Sequence, residues 1–337
     1  MSGATQNNGL PEDKVRRWLR DYYSLEGDLD RLPGDCDLNY KLSTKEGETY
    51  VCKLTHGSCD RELLSAQNEA MELLNQSDLA AIPHVLTSKQ GESLVPLNDG
   101  AGQAYVGRVL TFVPGIVLAK CAPYSAELLR NLGRTVGRLN QALAGYDHSA
   151  FHFKFNWDLA HAMEPVDRYR DLIADPQLRD EIDQVYQNFN DIVVPRFGTL
   201  KKSVIHNDAN DYNILAEGDE VTGLIDFGDM VHTYTICDLA IAMGYTSLGS
   251  DDVLQVIQQM AIGYNEFMPL VEDELTVLFP MMCMRLAVSS CMGVYQIRQR
   301  PDDPYLAISQ EPIRRTLPKL LALDANEVHD LLKEILV

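Results

Sequence analysis

Basic residues are scarce in this chain. Its 337 residues hold 29 Lys and Arg against 49 Asp and Glu, a formal net charge of −20. A surface of that sign repels phosphate backbones and anionic lipid, so neither nucleic acid nor a membrane is an expected partner. The seven cysteines are scattered, odd in number and without a C-x-x-C pair. That excludes a disulfide scaffold and a zinc ribbon, and fits reduced thiols in a cytoplasmic protein. No apolar run reads as a membrane span, and residues 1–8 are mostly polar, without a signal-peptide core. Internal repeats and low-complexity tracts are absent too. His148 and His152 fall four apart, around a strand-like alternation at 151–155, but lack the Glu of a zinc-protease motif. They read as surface or packing histidines. What is present is 45% hydrophobic content, enough for a sizeable core shared between two domains or lobes. The acidity suits a cationic substrate such as an amine, or simply a solvated surface.

One stretch carries more chemistry than the rest. It reads His206, Asn207, Asp208, Ala209, Asn210, Asp211, Tyr212, Asn213, and after a short spacer Ile225, Asp226, Phe227, Gly228, Asp229. An Asp, an Asn five positions later and then Asp-Phe-Gly is the set that phosphoryl transfer requires. The charge on a nucleoside triphosphate must be neutralised before its γ-phosphorus can be attacked. Mg²⁺ takes hard oxygen ligands, which the Asp226 carboxylate and the Asn213 carbonyl supply. Asp208 is placed to orient a substrate hydroxyl and accept its proton. Between these residues, 213–216 and 221–225 read as two short strands around a turn at 217–220. Such a hairpin returns Asp226 to the end where Asn213 lies. His206 reads as a brace of the loop, not as the base.

Upstream, residues 11–24 have the pattern of an amphipathic helix, and 32–54 alternate as a β-hairpin that turns at Glu46, Gly47 and Glu48. Lys53 lies in the apolar return strand, 49–54. A lysine there either guards an edge or meets an anion such as a nucleotide phosphate, and the downstream motif favours the phosphate. In 60–74, Leu63, Ala66, Ala70 and Leu73 recur at helical spacing. Of Glu62, Glu69 and Glu72, Glu69 adjoins this stripe and is the expected partner of Lys53. Residues 105–113 read as a strand running into Pro114 and Gly115. Beyond it Leu128, Leu132, Val136, Leu139 and Leu143 form one apolar helix face, and 165–195 and 251–336 are helical. The expected organisation is α+β. A nucleotide-binding lobe with a small sheet spans 1–109, a hinge 110–115, and a mostly helical catalytic and acceptor-binding lobe 116–337.

These residues resemble the aminoglycoside phosphotransferase and choline kinase family, small-molecule kinases with a protein-kinase-like two-lobed fold. The resemblance covers nearly the whole chain and is strongest to the hydroxylysine kinases and the kinase domains fused to class III aminotransferases. It rests on 204–213, 223–233 and 303–309. Residues 34–42 are similar to the family's short phosphate loop, and 156–159 and 110–115 are familiar from it. The resemblance implies nucleotide contacts for Asp35, Asn39, Lys53 and Glu69, and the catalytic base for Asp208. It gives Asn213 and Asp226 the metal, and has Asp238 brace the catalytic loop. The implied cofactors are Mg²⁺ and ATP or GTP.

The implied reaction moves the γ-phosphoryl group onto a hydroxyl of an amino-alcohol or hydroxy-amino acid, 5-hydroxylysine first. Asp158, Asp211 and Asp229 are candidate ammonium ligands, with Trp157 and Tyr245 as cation–π caps or core residues. Arg285, in an apolar helix, is either a carboxylate clamp or half of an ion pair with a neighbouring helix. The alternatives are an aminoglycoside, choline, ethanolamine, homoserine or protein Ser/Thr acceptor, and a non-catalytic nucleotide-binding regulatory module. An intact Asp208 speaks against the last.

Overall fold

The alternation early in the chain becomes β2 (Leu38–Thr44) and β3 (Thr49–His56), which β1 (Gly27–Leu32) joins at the edge, all in antiparallel register. This is a computed structural model, which describes residues 10–34, 37–100 and 102–336. β4 (Val85–Leu86), β5 (Val95–Asn98) and β6 (Ala104–Thr111) complete a six-stranded sheet ordered β1-β2-β3-β6-β4, with β5 also paired to β6. β1 is an edge strand with a mostly exposed pattern, so no alternation announces it.

β3 buries Cys52, Lys53 and Leu54 in succession, the mark of a strand covered on both faces. α1 (Glu12–Tyr23) lays Val15, Trp18 and Leu19 on the face that holds Cys52 and Leu54. Gly107 sits beneath Trp18, where a Cβ would stand 2.5 Å from the ring. Lys53 points to the other face. α2 (Arg61–Leu74) starts at Asp60, whose carboxylate caps the amides of Glu62 and Leu63. These elements form one compact unit, Met1–Gln76 and Ile82–Pro114.

A second unit comprises Ser77–Ala81 and Gly115–Val337. The first piece belongs here because Ala81 exchanges backbone hydrogen bonds with Thr222 and Leu224. β7 (Ile116–Val117), β9 (Ile214–Glu217) and β10 (Glu220–Leu224) form a three-stranded sheet, and β8 (Lys202–Ile205) pairs with β11 (Val231–Tyr234). The helices are α3 (Ala126–Leu143), α4 (Met163–Tyr169), α5 (Pro176–Asn188), α6 (Ile236–Ser247), α7 (Val253–Asn265), α8 (Glu272–Gln299), α9 (Gln310–Leu321) and α10 (Ala325–Lys333). The stripe Leu128, Leu132, Val136, Leu139 and Leu143 is buried as its spacing implies. α3 and α7 approach closely because Gly133 and Gly263 lie at the crossing. A Cβ on either would strike the other helix's carbonyl.

Two expectations fail. The 151–155 stretch is not a strand: Ser149–Phe151 is a 3-10 turn that buries Phe151, followed by irregular chain. The apolar length was also underestimated. α8 runs 28 residues and is apolar enough to cross a membrane, yet 94% of its apolar window is buried in the unit's core. Among the described residues six cysteines are free.

Candidate active site

β8 delivers the chain into the 206–213 loop, and the loop is held from below. Asn207 has a left-handed φ of 65°, strained for a residue with a Cβ unless its surroundings impose it. Asp238 on α6 imposes it. Its carboxylate, fully buried, accepts from the backbone N–H of His206 at 3.1 Å and of Asn207 at 2.7 Å. Asn140 donates to the same carboxylate at 2.7 Å and accepts from the Tyr264 hydroxyl at 3.0 Å. Burial pushes the Asp238 carboxyl up in pKa, against the downward pull of His206 and these donors. His206, also fully buried, accepts the Asp208 N–H on Nδ1 at 3.2 Å. With its proton on Nε2 it donates to the Ile225 carbonyl at 3.1 Å. One imidazole thus ties the loop to the residue before Asp226.

The Asp208 carboxylate is held by three donors. Oδ1 accepts from Arg285 Nη2 and from Asn210 Nδ2, each at 3.0 Å, and Oδ2 accepts from Asn213 Nδ2 at 2.7 Å. A carboxylate offers about four lone-pair positions. The one left is on Oδ2, and the side chain is 21% exposed. Burial raises its pKa, opposed by Arg285, His206 and Asn210. A raised carboxyl is a better proton acceptor than an ordinary one.

Asn213 spends both its amide protons on Asp208, whose backbone carbonyl it also meets at 2.9 Å. Its side-chain carbonyl is thereby turned the other way. The Asn213 backbone carbonyl accepts the Ile225 N–H at 2.9 Å, so the β9–β10 hairpin brings Asp226 alongside. Asp226 is exposed, with a left-handed φ of 62°. An amide oxygen and a carboxylate at one end of a hairpin fit Mg²⁺.

Arg285 departs from one expectation. Its guanidinium, 1% exposed, donates to the Trp157 carbonyl at 2.7 Å as well as to Asp208. The fork is engaged, not open to a substrate carboxylate. Its ion-pair partner is Asp208 in the 206–213 loop, while Tyr245 on α6 adds a hydrogen bond. Trp157 and Tyr245 cap this guanidinium at 4.9 and 5.7 Å from their ring centres, so the cation they face belongs to the protein. Asp158 is likewise structural. It is buried, and its Oδ1 accepts the Ala160 N–H and the Thr233 hydroxyl. Asp211 and Asp229 stay partly exposed. Burial, with the nearby Asp208 charge adding to it, pushes the Asp211 carboxyl up to about 7.

In the first unit, Lys53 is 8% exposed, its Nζ 4.0 Å from Asp37 Oδ2. Asn39 stands opposite it on β2 and donates to the Pro33 carbonyl at 3.1 Å. Asp35 lies outside the described residues. Glu69 is exposed on α2 and takes a 3.4 Å hydrogen bond from Ser65, so it does not occupy the inward position expected of it. The inward polar residues are Gln67 and Asn68, which bind Arg108 on β6 at 3.1 and 2.9 Å. Arg108, buried opposite Lys53, was missed. A charge inside an apolar strand, the signal that singled out Lys53, could have found it.

Known proteins share the sequence pattern and the fold. Hydroxylysine kinase from Mus musculus is 27% identical over 325 residues, covering 89% of this chain and 86% of its own. An amicoumacin kinase solved with AMP-PNP and Ca²⁺ shares the fold with a TM-score of 0.71 at 15% identity, covering 94% of this chain and 97% of its own. A microcompartment-associated aminopropanol kinase does so with a TM-score of 0.69 at 15% identity, covering 96% and 97%. The sequence profile of one family matches residues 28–275. The fold is therefore protein-kinase-like. The chain belongs to the phosphotransferase enzyme family, the small-molecule kinases that move a phosphoryl group from an ATP-type donor to a hydroxyl.

Proposed function

We propose that this enzyme phosphorylates the hydroxyl of an amine-bearing small molecule, a hydroxy-amino acid or amino-alcohol, with 5-hydroxylysine as first choice and ATP or GTP as donor. The observation that carries the chemistry is the single open lone pair on Asp208 Oδ2. The acceptor hydroxyl donates there, its proton passes to Asp208, and its oxygen attacks the γ-phosphorus as the bond to the bridging oxygen breaks and the nucleoside diphosphate leaves. Arg285, Asn210 and Asn213 keep the carboxylate from turning away. Mg²⁺, held by Asn213 and Asp226, supplies neutralisation of the donor's phosphates. Lys53 is the phosphate cation of the first unit. Asp211 and Asp229, both partly exposed, are the carboxylates assigned to an ammonium group in this reading. The similarity to hydroxylysine kinase along most of both chains supports the named acceptor.

A second reading has one observation in its favour. With Arg285 engaged by Asp208, the predicted clamp for a substrate carboxylate is gone. A carboxylate-free amino-alcohol then suits the site, as the aminopropanol kinase neighbour suggests. The test is a panel of 5-hydroxylysine, aminopropanol, ethanolamine, choline, homoserine and an aminoglycoside at equal concentration, with ATP and with GTP, products identified by mass. Highest kcat/KM for hydroxylysine supports the first reading and for aminopropanol the second. Turnover of neutral sugars alone would discard the amine-bearing acceptor and leave the kinase.

A further inference from the structure

Away from the phosphotransfer residues, two imidazoles and a carboxylate converge on the surface of the second unit. Asp147 and His152 lie on the chain after α3, and His232 lies on β11. Their three candidate ligand atoms are all within 4.8 Å of one another. His152 Nε2 is 2.7 Å from Asp147 Oδ1, and the His152 and His232 rings stack with centroids 4.2 Å apart. We propose that Asp147, His152 and His232 bind a divalent transition-metal cation of the Zn²⁺ class, a clamp that fastens the 147–152 segment to β11.

The donor set decides the class of ion. Two imidazoles and one carboxylate suit zinc and its neighbours, whereas Mg²⁺ prefers all-oxygen surroundings. The site is therefore chemically distinct from Asn213 and Asp226. With Zn–N bonds of about 2.0–2.1 Å, two ligand nitrogens on a tetrahedral ion stand roughly 3.4 Å apart. To reach that geometry the His152–Asp147 pair, now 2.7 Å apart, opens, and the His152 ring turns out of its stack on His232 so that both ring nitrogens face one ion. His152 and Asp147 are exposed and have room to rotate, and the ion replaces the hydrogen bond they now share. His232 is the fixed member, in register with Val204 on β8. Three protein ligands leave a further position for water. Lys202 opposes the cation: its charge is felt at His232, although its ammonium sits over the Tyr234 ring, 4.7 Å from the centre. The affinity is accordingly that of a surface clamp and weaker than that of a closed structural zinc site.

The clamp would act on strands that matter. β8 runs directly into the 206–213 loop, and β11 follows the turn that holds Asp226 and Asp229. Thr233, next to His232, already bonds Asp158 on the segment beyond His152. Metal would add a second tie across the same seam.

The test titrates Zn²⁺ into the full chain by calorimetry in excess Mg²⁺, which occupies the oxygen site. Thermal unfolding and the Co²⁺ absorption spectrum are followed in parallel. One ion per chain is expected, with a raised Tm and a cobalt spectrum free of thiolate bands. His152→Ala and His232→Ala are expected to weaken binding by at least about tenfold, the cost of losing even an outer partner of a metal ligand, and to abolish the thermal shift. His161→Ala, a histidine outside the cluster, keeps both. Because His152 is exposed, its variant decides the matter even where His232→Ala fails to fold. Unchanged affinity in His152→Ala, a thiolate band, or no saturable binding overturns the proposal.

Discussion

Arg285 holds Asp208 by its Nη2, 3.0 Å from Oδ1, from inside the core of α8. The arginine is 1% exposed and the aspartate 21%, so a buried cation grips a carboxylate that still reaches solvent. The net worth of such a pair is small, because desolvation offsets attraction, but removing one partner strands the other. Its consequence here is orientation. With Oδ1 engaged by Arg285 and Asn210, the face of the carboxylate left for a hydroxyl is set before substrate arrives.

Arg285→Lys tests that reading. Lysine keeps the charge but not the planar fork, so it cannot serve both Asp208 and the Trp157 carbonyl from one rigid group. We expect kcat to fall about 10- to 100-fold, the scale of a misplaced catalytic group, with nucleotide KM within about twofold. Arg285→Ala is expected to cost about 3–5 kcal/mol of stability, seen as a lower urea midpoint. A lysine variant with wild-type kcat would show that the pair is structural only.

Asp208→Asn removes the proposed proton acceptor and keeps the shape. Turnover should drop by about 10²–10⁴, the usual contribution of a positioned base. Nucleotide affinity, read by calorimetry, should stay within about twofold of the wild type. Retention of turnover within a few-fold would move the base elsewhere.

Legibility divides along sequence distance. The 206–229 constellation was readable because its parts are tied by one short hairpin. The Asn213 carbonyl meets the Ile225 N–H, and local alternation and turn chemistry dictate that return. Helix α2 was readable as a helix, but its rotation was not. Glu69 adjoins the apolar stripe, yet the inward polar positions went to Gln67 and Asn68, because their amides meet Arg108 on a strand far along the chain. Arg285 was recognised as a charge that needed a partner, while the partner's identity depended on where α8 crosses beneath the catalytic loop. Trp157 and Tyr245 do cap a cation, the guanidinium of Arg285, whose identity the sequence withheld because a cation–π cap is visible there only as an aromatic residue. His152 and His232 meet through the β8–β11 pairing, which no local spacing encodes.

Asp226→Asn should separate metal from nucleotide. Replacing a carboxylate by an amide removes a charge from the proposed Mg²⁺ ligand set and leaves the fold intact, since the residue is exposed. Nucleotide affinity is expected to lose its dependence on Mg²⁺, read by titrating nucleotide at several Mg²⁺ concentrations. An unchanged Mg²⁺ dependence would exclude Asp226 as a ligand.

Asp211 gives the enzyme a titration near neutrality. Burial pushes its carboxyl up to about 7 in the fold, from the ordinary 3.8. Between these values the folded state binds more protons than the unfolded chain, so the contribution of this residue to stability falls as pH rises through that window. Below both values there is no difference, and above about 7 the loss is complete. Asp211→Asn, which stays neutral, should match the wild type near pH 4 and exceed it at pH 8. The linkage ceiling for a shift of this size is about 4 kcal/mol, and partial exposure keeps the observed gain below it. Urea unfolding across that range measures it, and equal stabilities at pH 8 would rule it out. The same carboxyl links to substrate. An ammonium group bound beside Asp211 stabilises the charged form and lowers its pKa, so acceptor binding at pH 7 should release a proton. The acceptor KM should then fall as pH rises from 6 to 8. Calorimetry in two buffers of different ionisation enthalpy counts the proton, and a count of zero in the wild type would place the amine elsewhere.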